Sequence, residues 1–582
     1  MARLDPHSYN DDSQPKVTSF DWKARVDFDK RVIDATIELQ LERGADGPLD
    51  LDTRGLVISE VIDGQGRPLK WELADADPIL GQRLRLGLKG GDRLRIRYRT
   101  SPDASALQWL NKDQTAGKKQ PYVFTQCQAI HARSVIPIQD TPRVRVKFKA
   151  EISAPSELRS VMAAAPGERS VNGSAASETF EMPQPIPPYL FAFAVGELQS
   201  RELGPRSRVW AEPSIVEGAA WEFEAVDKMI LAAEALFGPY DWDRFDILTM
   251  PPSFPYGGME NPRLTFLTPS LLAKDRSLVN VLAHELAHSW TGNLVTNSNA
   301  EHFWLNEGFT VYAERRILEA LEGREESELH AALGRRALEQ AVQQFSDHPE
   351  LTKLCTHLQG VDPDEAFSQV PYEKGYLLLR ALEEQVGRSK FDAFIKKYMA
   401  TYRFQSITTE DFVGFVEKEL PGALQKVHAD EYLNGSGIPT SAPLAKSSKL
   451  EAVRRIGTEV PSKDAVAGWG ATEWQLYLES LPDGYAHARE LDERFGLNAS
   501  KNYEVLVSWL SVAAMAKHAP ALPQVERVLG EIGRMKYLRP LYKALIASGE
   551  TQRARKLFDK FRNGYHPIAA QVIEAMLKKA NA

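Results

Sequence analysis

A multidomain α+β architecture is the fold class this 582-residue chain predicts, and three observations carry that prediction. Short segments of alternating polar and apolar residues run through the first two hundred positions. Longer helical patterns then take over, and they hold the sequence His284-Glu285-Leu286-Ala287-His288. A stretch rich in Gly, Ser and Pro, Asn434 to Lys449, separates that middle part from a helical tail. The expected units are a β-rich domain over 1–203, an α/β domain over 204–433, a linker over 434–449 and an all-α domain over 450–582.

In the first unit, Val32 to Leu41 (VIDATIELQL) and Arg143 to Ile152 (RVRVKFKAEI) alternate with period two, as half-buried strands do. Gly and Pro cluster between such runs, at Asp63-Gly64-Gln65-Gly66 and across Pro183 to Pro188, where turns are expected. In the last unit, Val505 to Lys579 gives successive amphipathic helices of about 10 to 15 residues with Gly and Pro breaks, without a strict repeat period.

The middle unit carries the chemistry. On a helix, residues four apart fall on one side, so His284 and His288 can converge on one cation, with Glu285 beside them to take a proton from water. Catalytic zinc sites use three protein ligands and keep a position for water, so a third ligand is required. Thr291 and Leu294 exclude the signature that places a glycine and a third histidine just beyond the second. Glu307 is the better candidate: Phe303 to Ala320 (FWLNEGFTVYAERRILEA) has helical composition, and a turn through Gly292 to Asn299 lets that helix return beside the first. The paired Gly257 and Gly258 carry no side chain to block a substrate backbone, and Glu260 just after them suits an α-ammonium group. Read alone, Tyr372 is core or turn packing, Gln128 and Asp364 are loop polar residues, Arg534 and Lys536 are a solvated face, and Glu314 is an exposed helix glutamate.

With those residues quoted, the chain resembles the gluzincin zinc aminopeptidases related to thermolysin, in which a glutamate nineteen residues after the second histidine completes the site; Glu307 stands at that spacing from His288. Within that family it is most similar to the leukotriene A-4 hydrolase branch and its bacterial members. That likeness rests on Phe124 to His131 (FTQCQAIH), Pro251 to Pro262 (PPSFPYGGMENP), Asp362 to Gly375 (DPDEAFSQVPYEKG) and Gly533 to Tyr537 (GRMKY), so it spans the whole chain. The resemblance implies a thermolysin-like α/β catalytic domain, a helical-solenoid C-terminal domain that closes the cleft, and one zinc ion on His284, His288 and Glu307. Glu314, two helical turns after Glu307, is placed either to partner a ligand histidine or to face solvent; the resemblance implies Glu285 as base and Tyr372 as oxyanion donor. It also implies substrate contacts at Gln126, Gln128, Tyr256, Gly257, Gly258, Met259, Glu260 and Asp364, with Arg534 and Lys536 receiving a peptide's terminal carboxylate. The expected activity is removal of N-terminal residues from short peptides. Hydrolysis of a leukotriene A-4-like epoxide is the alternative, and Phe367 replaces the tyrosine of the vertebrate lipid-processing members.

A formal charge of −8 argues against a general nucleic-acid surface. Two cysteines, Cys127 and Cys355, are too few and too far apart for a disulfide framework and suit a reducing compartment. The first residues, MARLDPHSYNDDSQPK, lack an apolar core of the kind that targets secretion, and no apolar run reaches the roughly 20 residues a membrane helix needs. A cytoplasmic monomer without membrane or nucleic-acid partners is the expectation.

Overall fold

A computed structural model describes residues 4–42 and 46–580, without the side chain of Val279. The N-terminal part is built on a seven-stranded sheet whose centre is Val17–Asp27, paired in parallel with Val146–Pro155 and antiparallel with Val32–Leu41. Alternate side chains of these strands are buried, which is the half-buried reading the sequence gives for Val32–Leu41. The strand expected from Arg143 begins instead at Val146. Pro142 and the turn closed by Val144 N–H on Thr141 O hold the preceding residues out of the ladder. Phe20, Trp22, Phe148, Phe191 and Phe193 stack edge and face in the core behind this sheet.

The middle part packs helices on a five-stranded sheet ordered Gln199–Gly204, Ser207–Ala211, Asp246–Thr249, Leu264–Leu267 and, at its edge, Gly258–Met259. The three inner strands run parallel and Gly258–Met259 is antiparallel to its neighbour. The motif helix, Val279–Ala287, buries Leu282, Ala283, Leu286 and Ala287 on one side, which turns His284, Glu285 and His288 to the other. A short strand, Val295–Asn297, and a single turn at Ala300–His302 then bring the chain back as the helix Trp304–Glu322. That helix is buried along most of its length and crosses Val370–Val386 where Gly308 meets Gly375. A Cβ on Gly375 would lie 2.8 Å from the Gly308 Cα, so the approach needs both glycines.

The segment after residue 433 is irregular to Ser447, whose side chain caps the helix Ser448–Ile456, two residues inside the expected linker. It is tied to the catalytic helices: Lys446 N–H donates to Glu328 at 2.8 Å, Ser447 Oγ to Glu325 at 2.7 Å, and Arg380 to the Leu444 carbonyl. Helices at Tyr503–Met515, Leu522–Glu531, Met535–Ala547, Thr551–Phe561 and Pro567–Lys579 follow, sharing a core around Trp509, Leu541, Tyr542 and Ile573. This all-α part meets the middle part through Gly533 N–H on the Pro252 carbonyl and Met535 N–H on the Pro255 carbonyl, at 2.8 and 2.9 Å. Among the described residues no helix is long and apolar enough to cross a membrane.

Candidate active site

His284, His288 and Glu307 converge as the two-helix reading requires. Glu307 Oε2 lies 3.4 Å from His284 Nε2 and 3.5 Å from His288 Nε2. Each residue offers one ligand atom, all within 4.8 Å of one another. Both imidazoles are turned by contacts at their other nitrogen: His284 Nδ1 sits 3.0 Å from Glu314 Oε2, and His288 Nδ1 sits 3.0 Å from the Thr291 carbonyl. Those contacts make Nδ1 the donor and leave the Nε2 lone pairs aimed at the shared vertex. Glu314, which its sequence position left open between a solvated face and a ligand partner, is the partner.

The electrostatics ask for a cation at that vertex. Glu307 Oε2 is buried without a hydrogen-bond partner. Burial pushes Glu285 well above the ordinary carboxylate range, with Glu260 and Glu307 adding to it, and burial pushes Glu260 up to about 7. Burial opposes a charge on His284, but its contacts with Glu307 and Glu314 prevail and raise it well above its usual value. Burial brings His288 down to about 4. Two imidazole nitrogens and a spare buried carboxylate oxygen around one vertex are a donor set that fits zinc, which would displace the proton that His284 otherwise holds. A second group, Glu260, Glu285 and His288, also lies within 4.8 Å, but Glu260 Oε1 already accepts from Gln128 Nε2 at 3.2 Å. The first group is the better metal pocket, and the second borders it as a carboxylate wall.

Close approach fixes that wall. A Cβ on Gly258 would lie 2.3 Å from Glu285 Oε1, so only glycine lets the edge strand pass the carboxylate. A Cβ on the adjacent Gly257 would lie 2.9 Å from Arg534 Nη2, which brings the all-α domain's guanidinium to the same loop. Met259 Sδ is 3.1 Å from Gln126 Nε2, and the Glu260 carbonyl accepts from Asn293 Nδ2 at 2.7 Å. Tyr372 stacks 6.1 Å from the His284 ring; burial, then Glu307 and Glu260, push its hydroxyl well above its ordinary value. Phe303, Phe367 and Tyr256 extend this aromatic wall, and Phe367 is 42% exposed.

The residues expected from the sequence fall into three groups of contacts. The zinc triad, Glu285, Glu260 and Tyr372 form the centre. Asp364 stands apart with its carboxylate 2.8 Å from His131 Nε2. Burial opposes its ionisation, yet His131 holds it below the usual range. Arg534 and Lys536 form the third group, on the all-α domain. Sequence reasoning missed His131, Asn293 and Thr310, whose hydroxyl sits 3.1 Å from His288 Nδ1, and it missed Glu504, which binds both members of the cationic pair. None belongs to a spaced motif.

Comparison with known proteins agrees with this geometry. Residues 221–432 match the peptidase family M1 domain, 6–190 the peptidase M1 N-terminal domain, and 469–577 the leukotriene A4 hydrolase C-terminal domain. Leucine aminopeptidase 2 of Yarrowia lipolytica is 40% identical over 565 residues, covering 91% of this chain and 86% of its own. Leukotriene A-4 hydrolase of Xenopus laevis is 38% identical over 602 residues, with 98% of both chains covered. The structure of yeast LTA4 hydrolase in complex with bestatin superposes with a TM-score of 0.93 at 34% identity, covering 99% of this chain and 97% of that one. Three matched domains in order, and relatives 38 to 40% identical over 91% or more of the chain, make it a member of peptidase family M1, a zinc aminopeptidase built on the leukotriene A4 hydrolase plan.

Proposed function

We propose that the chain removes N-terminal residues from short peptides, with His284, His288 and Glu307 as zinc ligands. The observation that carries this reading is the buried vertex of those three residues with Glu285 and Glu260 walled beside it. A zinc held by these three residues would supply a Lewis acid for the scissile carbonyl and would lower the pKa of water towards about 7. Glu285 takes the proton of the attacking water and passes it to the leaving amine. The Tyr372 hydroxyl, kept protonated by its surroundings, donates to the developing oxyanion, a contact of roughly 3 to 4 kcal/mol.

Glu260 holds the substrate's α-ammonium, oriented by Gln128, and this excludes the middle of a chain, which carries no such charge. Gly258–Met259, at the sheet edge, aligns the peptide backbone as an added strand, with Tyr256, Gly257 and Gln126 around it. Gln128, Asp364 and Phe367 border the first side chain. Arg534 and Lys536 receive the terminal carboxylate, which favours tripeptide-sized substrates. Glu260→Gln tests the exopeptidase reading. The expected loss is about a hundredfold in kcat/KM on free-amine substrates, with the preference over N-acetylated forms abolished. An unchanged preference would remove Glu260 from this role.

A second reading, hydrolysis of a lipid epoxide, is favoured by the ionised Asp364 at the cleft and by relatives named for leukotriene A-4 hydrolase. Phe367 supplies no hydroxyl there. Conversion of leukotriene A-4 by peptidase-active protein would support it, and no conversion would leave the peptidase alone. We also assign a monomer in the cytoplasm. Among the described residues the large exposed apolar side chains, such as Leu4, Trp71, Trp221 and Leu444, are scattered over the first two parts and the segment that follows them, and Cys127 and Cys355 are unbonded.

A further inference from the structure

Glu504 is a buried carboxylate that faces both basic residues of the cleft's far end. It opens the helix Tyr503–Met515, where Asn502 caps it by accepting from Glu504 N–H and ties it to the catalytic part by donating to Ser277 Oγ at 2.7 Å. Oε1 lies 3.2 Å from Arg534 Nη1 and accepts from the Tyr537 hydroxyl at 3.0 Å. Oε2 lies 2.6 Å from Lys536 Nζ and accepts from Gln475 Nε2 at 3.2 Å. Burial alone would raise this carboxyl, but Lys536 and then Arg534 bring it down to about 2, so it is an anion throughout the neutral range.

Two cations thus share one buried anion. Arg534 is itself almost fully enclosed, with Nε unpartnered, while Lys536 is more than half exposed. Arg534 Nη2 points to Gly257, one residue from the glycine that touches Glu285, and consecutive Cα atoms are about 3.8 Å apart. The guanidinium therefore lies beside the loop that passes Glu285, held through Nη1 by Glu504, by the Tyr537 hydroxyl at 2.8 Å and by Ser270 Oγ at 3.3 Å, and Glu504 alone among these partners carries a charge and also reaches Lys536.

We propose that Glu504 is a positioning residue that holds Arg534 and Lys536 in place and reduces their combined charge to one, making the end of the cleft a receptor for a single carboxylate. The substrate class is a short peptide with a free, monoanionic C-terminus. This rests on the reading of Arg534 and Lys536 given above. Without Glu504, Arg534 keeps only the neutral partners Ser270 and Tyr537 and Lys536 swings into solvent, so the loss falls on recognition of the carboxylate and spares bond cleavage.

The test is steady-state kinetics of the full-length, zinc-loaded enzyme on trialanine and on trialanine amide, with Glu504→Gln beside the wild type. The expected result is a KM for the free acid raised about tenfold in Glu504→Gln, with kcat within twofold and the amide unaffected. Equal loss on acid and amide would show a merely structural role and overturn the proposal, as would no change on either. A wild-type measurement stands free of the variant's folding: Ala-Ala-Asp, with two carboxylates at its end, should gain less than threefold in kcat/KM over trialanine. A tenfold gain would mean that the end of the cleft carries two free charges, against the proposal. If wild type takes acid and amide alike, the reading of Arg534 and Lys536 fails, and Glu504 with it. If Arg534→Gln alone raises the KM for the acid, that reading stands and only Glu504 is refuted.

Discussion

Removing Glu314 should loosen the zinc without touching a ligand. The Glu314 carboxylate sits 3.0 Å from His284 Nδ1, and the two side chains are only 12% and 15% exposed. A hydrogen bond to a charged partner in such a setting contributes about 1.5 to 3 kcal/mol. At about 1.4 kcal/mol per tenfold, Glu314→Ala is expected to weaken zinc binding by about 10- to 100-fold, the range found for partners of metal-bound histidines. Glu314→Gln keeps an acceptor oxygen and should fall between the variant and wild type. The assay is competition with a chelator of known zinc affinity, followed by kcat/KM at saturating zinc to separate metal loss from damage to the catalytic groups. A zinc affinity within twofold of wild type in a folded Glu314→Ala protein would refute the claim that this contact orients His284.

Three further outcomes follow from the same geometry. Gly375→Ala places a Cβ 2.8 Å from Gly308 and should force apart the helices that carry Tyr372 and Glu307. Overpacking of this kind costs about 1 to 3 kcal/mol, and a shift near 1 Å can cost about a hundredfold in rate, so both melting temperature and kcat/KM are expected to fall at saturating zinc. Glu504 should also leave a mark on acid stability. Its folded pKa of about 2 lies below the ordinary 4.5, so its stabilising share is complete above pH 4.5 and is lost as pH falls from there through 2. That share is about 3 kcal/mol, and urea midpoints should fall more steeply below pH 4.5 in wild type than in Glu504→Gln; parallel curves would contradict it. Glu285→Gln should retain zinc and lose turnover, and measurable cleavage by that variant would displace Glu285 from the base role.

The architecture was legible because period-two and helical patterns occupy separate thirds of the chain, and burial then enforces each period. The zinc pocket was legible for a related reason: a four-residue spacing on a helix fixes two imidazoles whatever surrounds them, and Glu307 needs only a short return. Asp364 and the basic pair carried no such local geometry and were reached through resemblance. Glu504 and His131 stayed hidden because their partners lie on other segments; 30 residues separate Glu504 from Arg534, and 233 separate His131 from Asp364. Segment 434–447 shows the converse. Its Gly, Ser and Pro read as a free linker, yet Glu325, Glu328 and Arg380 hold it in place, an outcome that depends on which helices it crosses.

The most direct test is a set of initial rates on aminoacyl-p-nitroanilides and their N-acetylated forms, before zinc removal, after it, and after zinc is restored. The account predicts cleavage of the free-amine substrates alone, lost with the metal and regained with it. Equal cleavage of the acetylated forms, or rates indifferent to zinc, would contradict it.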